Sequence, residues 1–321
     1  MSLATAREPR APEAGPDEPP ASARARAGSR RLKRHDSILG ALFVGPAVLG
    51  TIAFGLVPFG FVIWYSLHDW SPLIAKFSFT GLDNVRRLMA DETVWGSFGT
   101  TFKYAGLLMV LNITLAMGLA LLLNQKVPGT TVFRTFFFSP VIVSAVAWVL
   151  IWNFLVASNG GINGALAMIG IDGPNWLRDP AYALVTVVVI QVFKGVGMNM
   201  ILFIAALQNV PTDLKDAARI DGARPGRVFR SITLPLMTPT ILLVTMVTMI
   251  SALDVFVPIQ IMTEGGPGRS TTVISYLLYQ TAFEQQDFGY ASTIGVLLFL
   301  VVLALTALVW GMRKKWVHDE V

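Results

Sequence analysis

Residues 208–237 read QNVPTDLKDAARIDGARPGRVFRSITLPLM, a polar and basic stretch between two long apolar runs, one ending near Leu207 and one starting near Thr238. It carries its own helix punctuation. Pro211 and Thr212 mark a start, and Asp213 falls in the first turn, where the helix dipole favours an acid. Ala217 and Ala218 are strong helix formers. Gly222 stands where a left-handed residue stops a helix, and the pattern predicts a second short helix from Pro225 to a point before Pro235. A chain organised around such a stretch is predicted to carry a compact helical knob on one side of a bilayer, shaped to dock into something.

Composition agrees with the bilayer. The 321 residues are 54% hydrophobic and 14% charged, with a mean hydropathy of +0.60, which is too apolar for a soluble domain. Cysteine is absent, excluding a disulfide framework, a thiolate metal site and a cysteine nucleophile. The three histidines, His35, His68 and His318, all fall outside the apolar runs, so a histidine metal cluster or an intramembrane proton relay is not expected.

Residues 1–37 are rich in Ala, Pro, Arg and Glu and lack apolar periodicity. Such a segment cannot bury enough surface to offset chain entropy and is expected to be a disordered basic cytoplasmic tail. The apolar run that follows is too long for a signal peptide. Six apolar segments come next, at about 38–67, 101–124, 132–156, 181–207, 238–262 and 290–312, each near or above the ~20 residues that cross a bilayer as helix. They form one transmembrane domain, 38–312, followed by a short C-terminal tail, 313–321. Pro46, Pro58, Pro140 and Pro258 lie within them, where neighbours can satisfy the freed carbonyls.

Lysine and arginine set the orientation. With the N-terminus inside, the cytoplasmic pieces (including Lys126 and Arg134 in the first turn) carry eighteen basic residues, whereas Lys76, Arg86, Arg87, Arg178 and Arg269 are the five on the other side. Both termini and the 208–237 loop are therefore expected in the cytoplasm. The three outer loops, about 68–100, 157–180 and 263–289, carry Trp70, Trp95 and Trp176, suited to the headgroup layer, and the first is predicted to hold one or two short interfacial helices.

The loop resembles the EAA loop of permease subunits from bacterial binding-protein-dependent ATP-binding cassette (ABC) importers. That motif reads Glu-Ala-Ala, three residues, Gly, nine residues, Ile-x-Leu-Pro. Asp216, Ala217, Ala218, Gly222, Ile232, Leu234 and Pro235 occupy its positions at the same spacing. Asp216 for Glu is the one departure; it keeps the charge but shortens the reach by a methylene. A second match lies in 254–295, where Thr263-Glu264-Gly265-Gly266-Pro267, Thr271-Thr272, Ala282-Phe283 and Gly289-Tyr290-Ala291 resemble the MalF-like or UgpA-like first permease of carbohydrate and glycerol-phosphate importers. GLDNV at 81–85 and LPLMTPTI at 234–241 point the same way. The resemblance covers about 38–312.

It implies an all-α transmembrane bundle of about six spanning helices with a cytoplasmic coupling helix, the fold of a type I ABC importer permease. It also implies a second homologous permease, two ATP-binding cassette subunits docked on the coupling loop, an extracytoplasmic solute-binding protein and a bacterial inner-membrane location. Lipid surrounds the spans, and nothing points to nucleic acid. On that reading Asp216, Arg219, Asp221 and Arg224 are polar contacts to the ATPase. The chain has no G-x-x-x-x-G-K-[ST] loop, so ATP and its magnesium belong to the partner; this chain binds no cofactor and is not an enzyme.

Ionisable residues inside apolar spans are costly unless they face protein or water. Lys194, near Gln191 and Asn199, and Asp254 are candidates for a translocation pathway, for a mutual pair or for an inter-subunit network. Lys103 can snorkel. Asn112 and Asn199 suit interhelical hydrogen bonds, although Asn199 also belongs with the pathway candidates. Phe133, Phe136–Phe138, Trp148 and Trp152 could stack on sugars, but packing and lipid contact account for them. The alternatives are an ABC permease for another solute class such as polyamines or an oligopeptide, a stand-alone secondary transporter, and a membrane anchor. A secondary transporter is expected to show paired halves and intramembrane carboxylates, and this chain has one such Asp and no evident symmetry.

Overall fold

The computed structural model describes residues 42–73, 75–125 and 128–316, with side chains as far as Met312. The expectations for the tail 1–37, for Lys126 and for residues 317–321 lie outside the described residues. The chain falls into two compact units, residues 1–61 and 62–321. In the first, the described residues are helical and belong to α1 (Leu42–Ser66), which contains a π-helical turn at Ile52–Leu56.

The second unit continues with a hairpin, β1 (His68–Ser71) and β2 (Lys76–Phe79), then α2 (Asp83–Ala90) and the long α3 (Glu92–Leu123). α4 (Thr130–Ile142) and α5 (Ala145–Leu155) follow, then α6 (Gly161–Met168) and α7 (Ala183–Gln208). The polar stretch forms α8 (Thr212–Ile220) and α9 (Pro225–Leu236). The last elements are α10 (Thr238–Leu253), α11 (Val257–Met262), α12 (Ile274–Tyr279) with a π-turn to Glu284, and α13 (Phe288–Trp316). Four helices, α1, α3, α7 and α13, are long and apolar enough to cross a membrane. The count reaches six if the bent pairs α4–α5 (104°) and α9–α10 (66°) each form one span.

α3 and α7 are the axis of this unit, with α4 and α10 packed against them. Ala116 and Ala120 on α3 are fully buried among Val196, Met200 and Phe203 of α7. Small residues let the backbones close in, the packing device available where lipid removes the hydrophobic drive between helices. Gly197 serves the same end on the other side of α7, since a Cβ there would lie 2.0 Å from the Phe137 carbonyl oxygen of α4. Between the helices, Asn199 donates to Asn112 Oδ1 (2.6 Å) and Thr248 Oγ1 (3.2 Å), and Asn112 reaches the Val192 carbonyl (3.4 Å). This buried network ties α3, α7 and α10 at one level, the interhelical role expected of the two asparagines.

Several expectations are corrected. α3 begins at Glu92 rather than near 101, because Asp91 accepts a cap bond from the Thr93 amide (2.9 Å) and the added turns bury Val94 and Phe98 against Ile274, Leu277 and Tyr290. Residues 68–79 form a hairpin where the sequence predicts only short helices; Asp69 and Lys76 pair across it, and the His68 ring stacks on Phe77 at 4.5 Å. The segment 238–262 is not one helix: it stops at Leu253, and Pro258 sits in the first turn of a new short helix, where its missing N–H costs nothing. The helix from Pro225 does not end before Pro235; it passes through a π-helical turn at Phe229–Thr233 and runs to Leu236. Trp176, one of the tryptophans expected in the outer loops, is half-buried and donates to Asn163 Oδ1 (2.7 Å).

At the N-terminal end of α3, Asp91 also accepts from the Tyr290 hydroxyl (2.7 Å), whose ring carries the Arg87 guanidinium at 3.8 Å, while Arg87 pairs with Asp287 (2.7 Å). Burial pushes the Asp91 carboxyl up, but bonds from Tyr290, Thr93 and Val94 outweigh it and hold the group below the usual carboxylate range.

Candidate functional site

α8 is the polar helix expected at the centre of the 208–237 loop. Its end is a complete Schellman stop: the Ala223 amide donates to the Ala218 carbonyl (2.9 Å) and the Gly222 amide to that of Arg219 (3.0 Å). Gly222 has φ +81°, and a Cβ there would meet nothing within 4 Å. Glycine is needed for its backbone conformation and not for space. No residue of α8 is buried. Asp216, Ala217, Arg219 and Asp221 are exposed and Ala218 half-buried, and Arg219 donates to Asp216 at 3.1 Å. Leu214 and Ile220 are exposed too, Ile220 by 87%, so the helix presents apolar and charged groups together.

The second half of the motif behaves differently. Ile232, Leu234 and Pro235 are half-buried in α9, and Ile232 packs on the cluster that holds Val210, Met237 and Val244. The candidate residues of the loop therefore divide. Those before Gly222 face outward, and those after it anchor the knob to the ends of α7 and α10.

The other candidates meet in one place. Lys194, Asn199 and Asp254 all line a cavity of about 830 Å³ in the second unit, with Gln191, Ser251 and Ser275 adding further polar groups. Two helix breaks shape it. At the first, Pro140 removes the amide that would bond the Phe136 carbonyl, and Ser139 Oγ supplies the substitute at 2.9 Å. Val143 is extended, and Ser144 caps α5 by accepting from the Ala147 amide (3.2 Å). The orphaned carbonyls of Pro140 and Val143 receive Lys194 Nζ at 3.1 and 2.6 Å. A cation at a helix C-terminus satisfies carbonyl and dipole together.

Lys194 therefore clamps the α4–α5 break, and among the described residues it forms no ion pair with Asp254. Asp254 sits at the second break, as the C-cap of α10, and its carboxylate is exposed and accepts no hydrogen bond among the described residues. Asn199 is 8% exposed; its amide NH2 is engaged in the buried network, and among the described residues its Oδ1 accepts no hydrogen bond.

Sequence reasoning missed the aromatic wall of this cavity. Phe256, Tyr279 and Phe283 follow one another with ring centroids 5.1 and 5.2 Å apart. Tyr279 and Phe283 lie four apart on α12 and its π-turn, while Phe256 comes from the start of α11, so only tertiary packing brings the third ring to the pair. The aromatics singled out in the sequence lie elsewhere. Phe133 and Phe136 are exposed by 58% each, and Trp148 and Trp152 pack around Phe193. The second motif folds on itself: Thr271 donates to the Gly266 carbonyl (2.7 Å) and Thr272 to that of Gly265 (2.9 Å), which fastens the Gly-Gly-Pro turn beneath α12.

Comparisons with known proteins place this geometry. Residues 112–313 match the family described as binding-protein-dependent transport system inner membrane component. The trehalose/maltose transport system permease protein MalF of Thermococcus litoralis is 34% identical over 280 residues, covering 86% of this chain and 94% of that protein. The lactose transport system permease protein LacF of Rhizobium radiobacter is 34% identical over 283 residues, covering 86% and 94%. Among solved structures, a chain of a bacterial alginate ABC transporter in complex with an alginate pentasaccharide-bound periplasmic protein superposes with a TM-score of 0.76 at 23% identity. That match covers 89% of this chain and 96% of that one and is a likeness of fold.

Proposed function

This chain belongs to the inner membrane components of binding-protein-dependent transport systems, and from that premise we propose that it is the half-pathway of an ATP-driven importer for sugars or oligosaccharides. It is a multi-pass permease subunit and performs no covalent chemistry. The observation that carries the coupling part of the reading is α8: a short helix between two spans, none of its residues buried, ended by a Schellman stop at Gly222. A polar helix with exposed Leu214 and Ile220 is complementary to a cleft on a partner protein, and the EAA-like spacing makes that partner the ATPase.

In this mechanism a second permease with its own coupling helix completes the pathway, and two ATPase subunits sit beneath them in the cytoplasm, on the same side as both termini. Closing of the ATPases on ATP moves the two coupling helices, and the anchors Ile232, Leu234 and Pro235 pass that motion to α10. The cavity then opens outward to the solute-binding protein, and hydrolysis returns it inward. The two states differ in how each ligand binds, which is what links the sites energetically.

Carbohydrate as the solute rests on the relatives named for trehalose/maltose and lactose. The cavity is chemically suited to it, because Phe256, Tyr279 and Phe283 offer ring faces while Gln191, Ser251, Ser275 and Asp254 offer hydrogen-bonding groups. The test is reconstitution of the chain with its co-purified permease, ATPase and binding protein in liposomes. ATP hydrolysis and uptake of labelled disaccharide are expected to rise together when the loaded binding protein is added. Uptake without ATP, or ATP-driven uptake of polyamines and not sugars, would overturn the reading.

A further inference from the structure

α9 carries a feature that extends beyond the Arg224 contact assigned to coupling. Arg224, Arg227 and Arg230, spaced three apart, are exposed and line one concavity of about 660 Å³ together with Gly222, Gly226 and Ser231. No acidic side chain lines it, and among the described residues none of the three arginines forms an ion pair, while Arg219 is engaged by Asp216. The opposite side of the helix is apolar and seated, with Val228 buried and Ile232 and Leu236 packed on the core.

We propose that this arginine cradle is a binding site for the phosphate of an anionic phospholipid headgroup. The bend decides where the arginines lie. α9 meets α10 at 66°. With α10 along the membrane normal, Arg230 and Arg224 lie about 9 and 18 Å from Leu236 along the helix but only about 4 and 7 Å farther from the membrane core. The headgroup layer is roughly 5–8 Å thick on each side, so the whole stripe stays at phosphate depth, whereas a straight helix would carry Arg224 out into water. An apolar face on the core and arginines toward the lipid is the arrangement of a helix lying in the interface. The guanidinium fork matches a phosphate in geometry as well as charge. The cradle holds in either leaflet and is independent of which solute the protein carries.

The test uses the full-length chain, alone and co-purified with its ATPase subunit, in neutral detergent, titrated with phosphatidylglycerol or phosphatidylcholine and read by native mass spectrometry. The wild type is expected to retain phosphatidylglycerol preferentially. R230Q is expected to weaken that retention about fivefold and R224Q/R227Q/R230Q up to about 100-fold, taking each basic residue at the interface as roughly a factor of five. The triple Arg→Lys variant is expected to stay within about tenfold of wild type, because the charge remains while the fork is lost. Unchanged retention in R230Q and the triple glutamine variant overturns the proposal. So does inorganic phosphate binding with the same arginine dependence without lipid, which would make free phosphate the occupant. Loss of the ATPase subunit from the triple variant with lipid retention intact would assign the cradle to the protein interface and overturn it as well.

Discussion

Replacing Gly222 tests α8, the proposed coupling helix, by its conformation. At φ +81°, with no atom within 4 Å of a built Cβ, alanine meets no steric obstacle, and its cost is that of a left-handed backbone, about 1 kcal/mol. That is roughly a fivefold loss in the population of the capped end, because the two stop bonds to Ala218 and Arg219 open together. Asparagine tolerates the left-handed region and is expected to lose less, and valine, β-branched, to lose more. Hydrogen exchange at the amides of Gly222 and Ala223 is expected to quicken in the order Asn, Ala, Val. In the reconstituted complex, ATP hydrolysis stimulated by loaded binding protein is expected to fall in the same order, by about fivefold for Gly222→Ala. If Gly222→Asn is more damaging than Gly222→Ala, the partner needs bare space at this position, and the conformational argument is refuted.

Further outcomes are expected elsewhere in the molecule. Gly197→Ala places a methyl group 2.0 Å from the Phe137 carbonyl oxygen, forcing α4 and α7 apart by about 1 Å and lowering stability in detergent by about 2 kcal/mol. Gly106→Ala, with nothing within 4 Å, is the neutral control in the same thermal melt. Asn199→Leu leaves Asn112 Oδ1 and Thr248 Oγ1 without their donor and is expected to cost about 1–2 kcal/mol. The double variant Asn112→Leu/Asn199→Leu is expected to cost less than the sum of the singles, as a double-mutant cycle would show. Asp91 titrates below the usual carboxylate range, so its contribution to stability is complete above that range and fades as pH falls through the lowered native value. Asp91→Asn is expected to flatten that acid limb of melting temperature against pH, and an unchanged limb would show that Asp91 does not drive it.

What was legible in the sequence was local. Apolar runs near the length of a bilayer, the start at Pro211, the stop at Gly222 and the EAA-like spacing all depend on contacts a few residues apart or on one backbone angle, and the chain spells these directly. The sequence also marked Lys194, Asn199 and Asp254 as costly polar groups in apolar surroundings, since lipid makes any such group an exception. Their roles, however, were set by partners 49 to 87 residues away: Lys194 caps the broken α4 through Pro140 and Val143, and Asn199 joins Asn112 and Thr248. The aromatic wall is hidden for the same reason, because Phe256 joins the Tyr279 and Phe283 pair of α12 and its π-turn only through packing. Nor did the sequence show where helices break. Proline is tolerated within a helix when a neighbour satisfies the freed carbonyl and ends one when none does, and Pro140, Pro235 and Pro258 met three different surroundings. Local hydrogen bonding and chain chirality thus determined the helices and the stop at Gly222 from sequence alone, while the cavity, its charges and its breaks were decided by which backbone groups tertiary packing left without a partner.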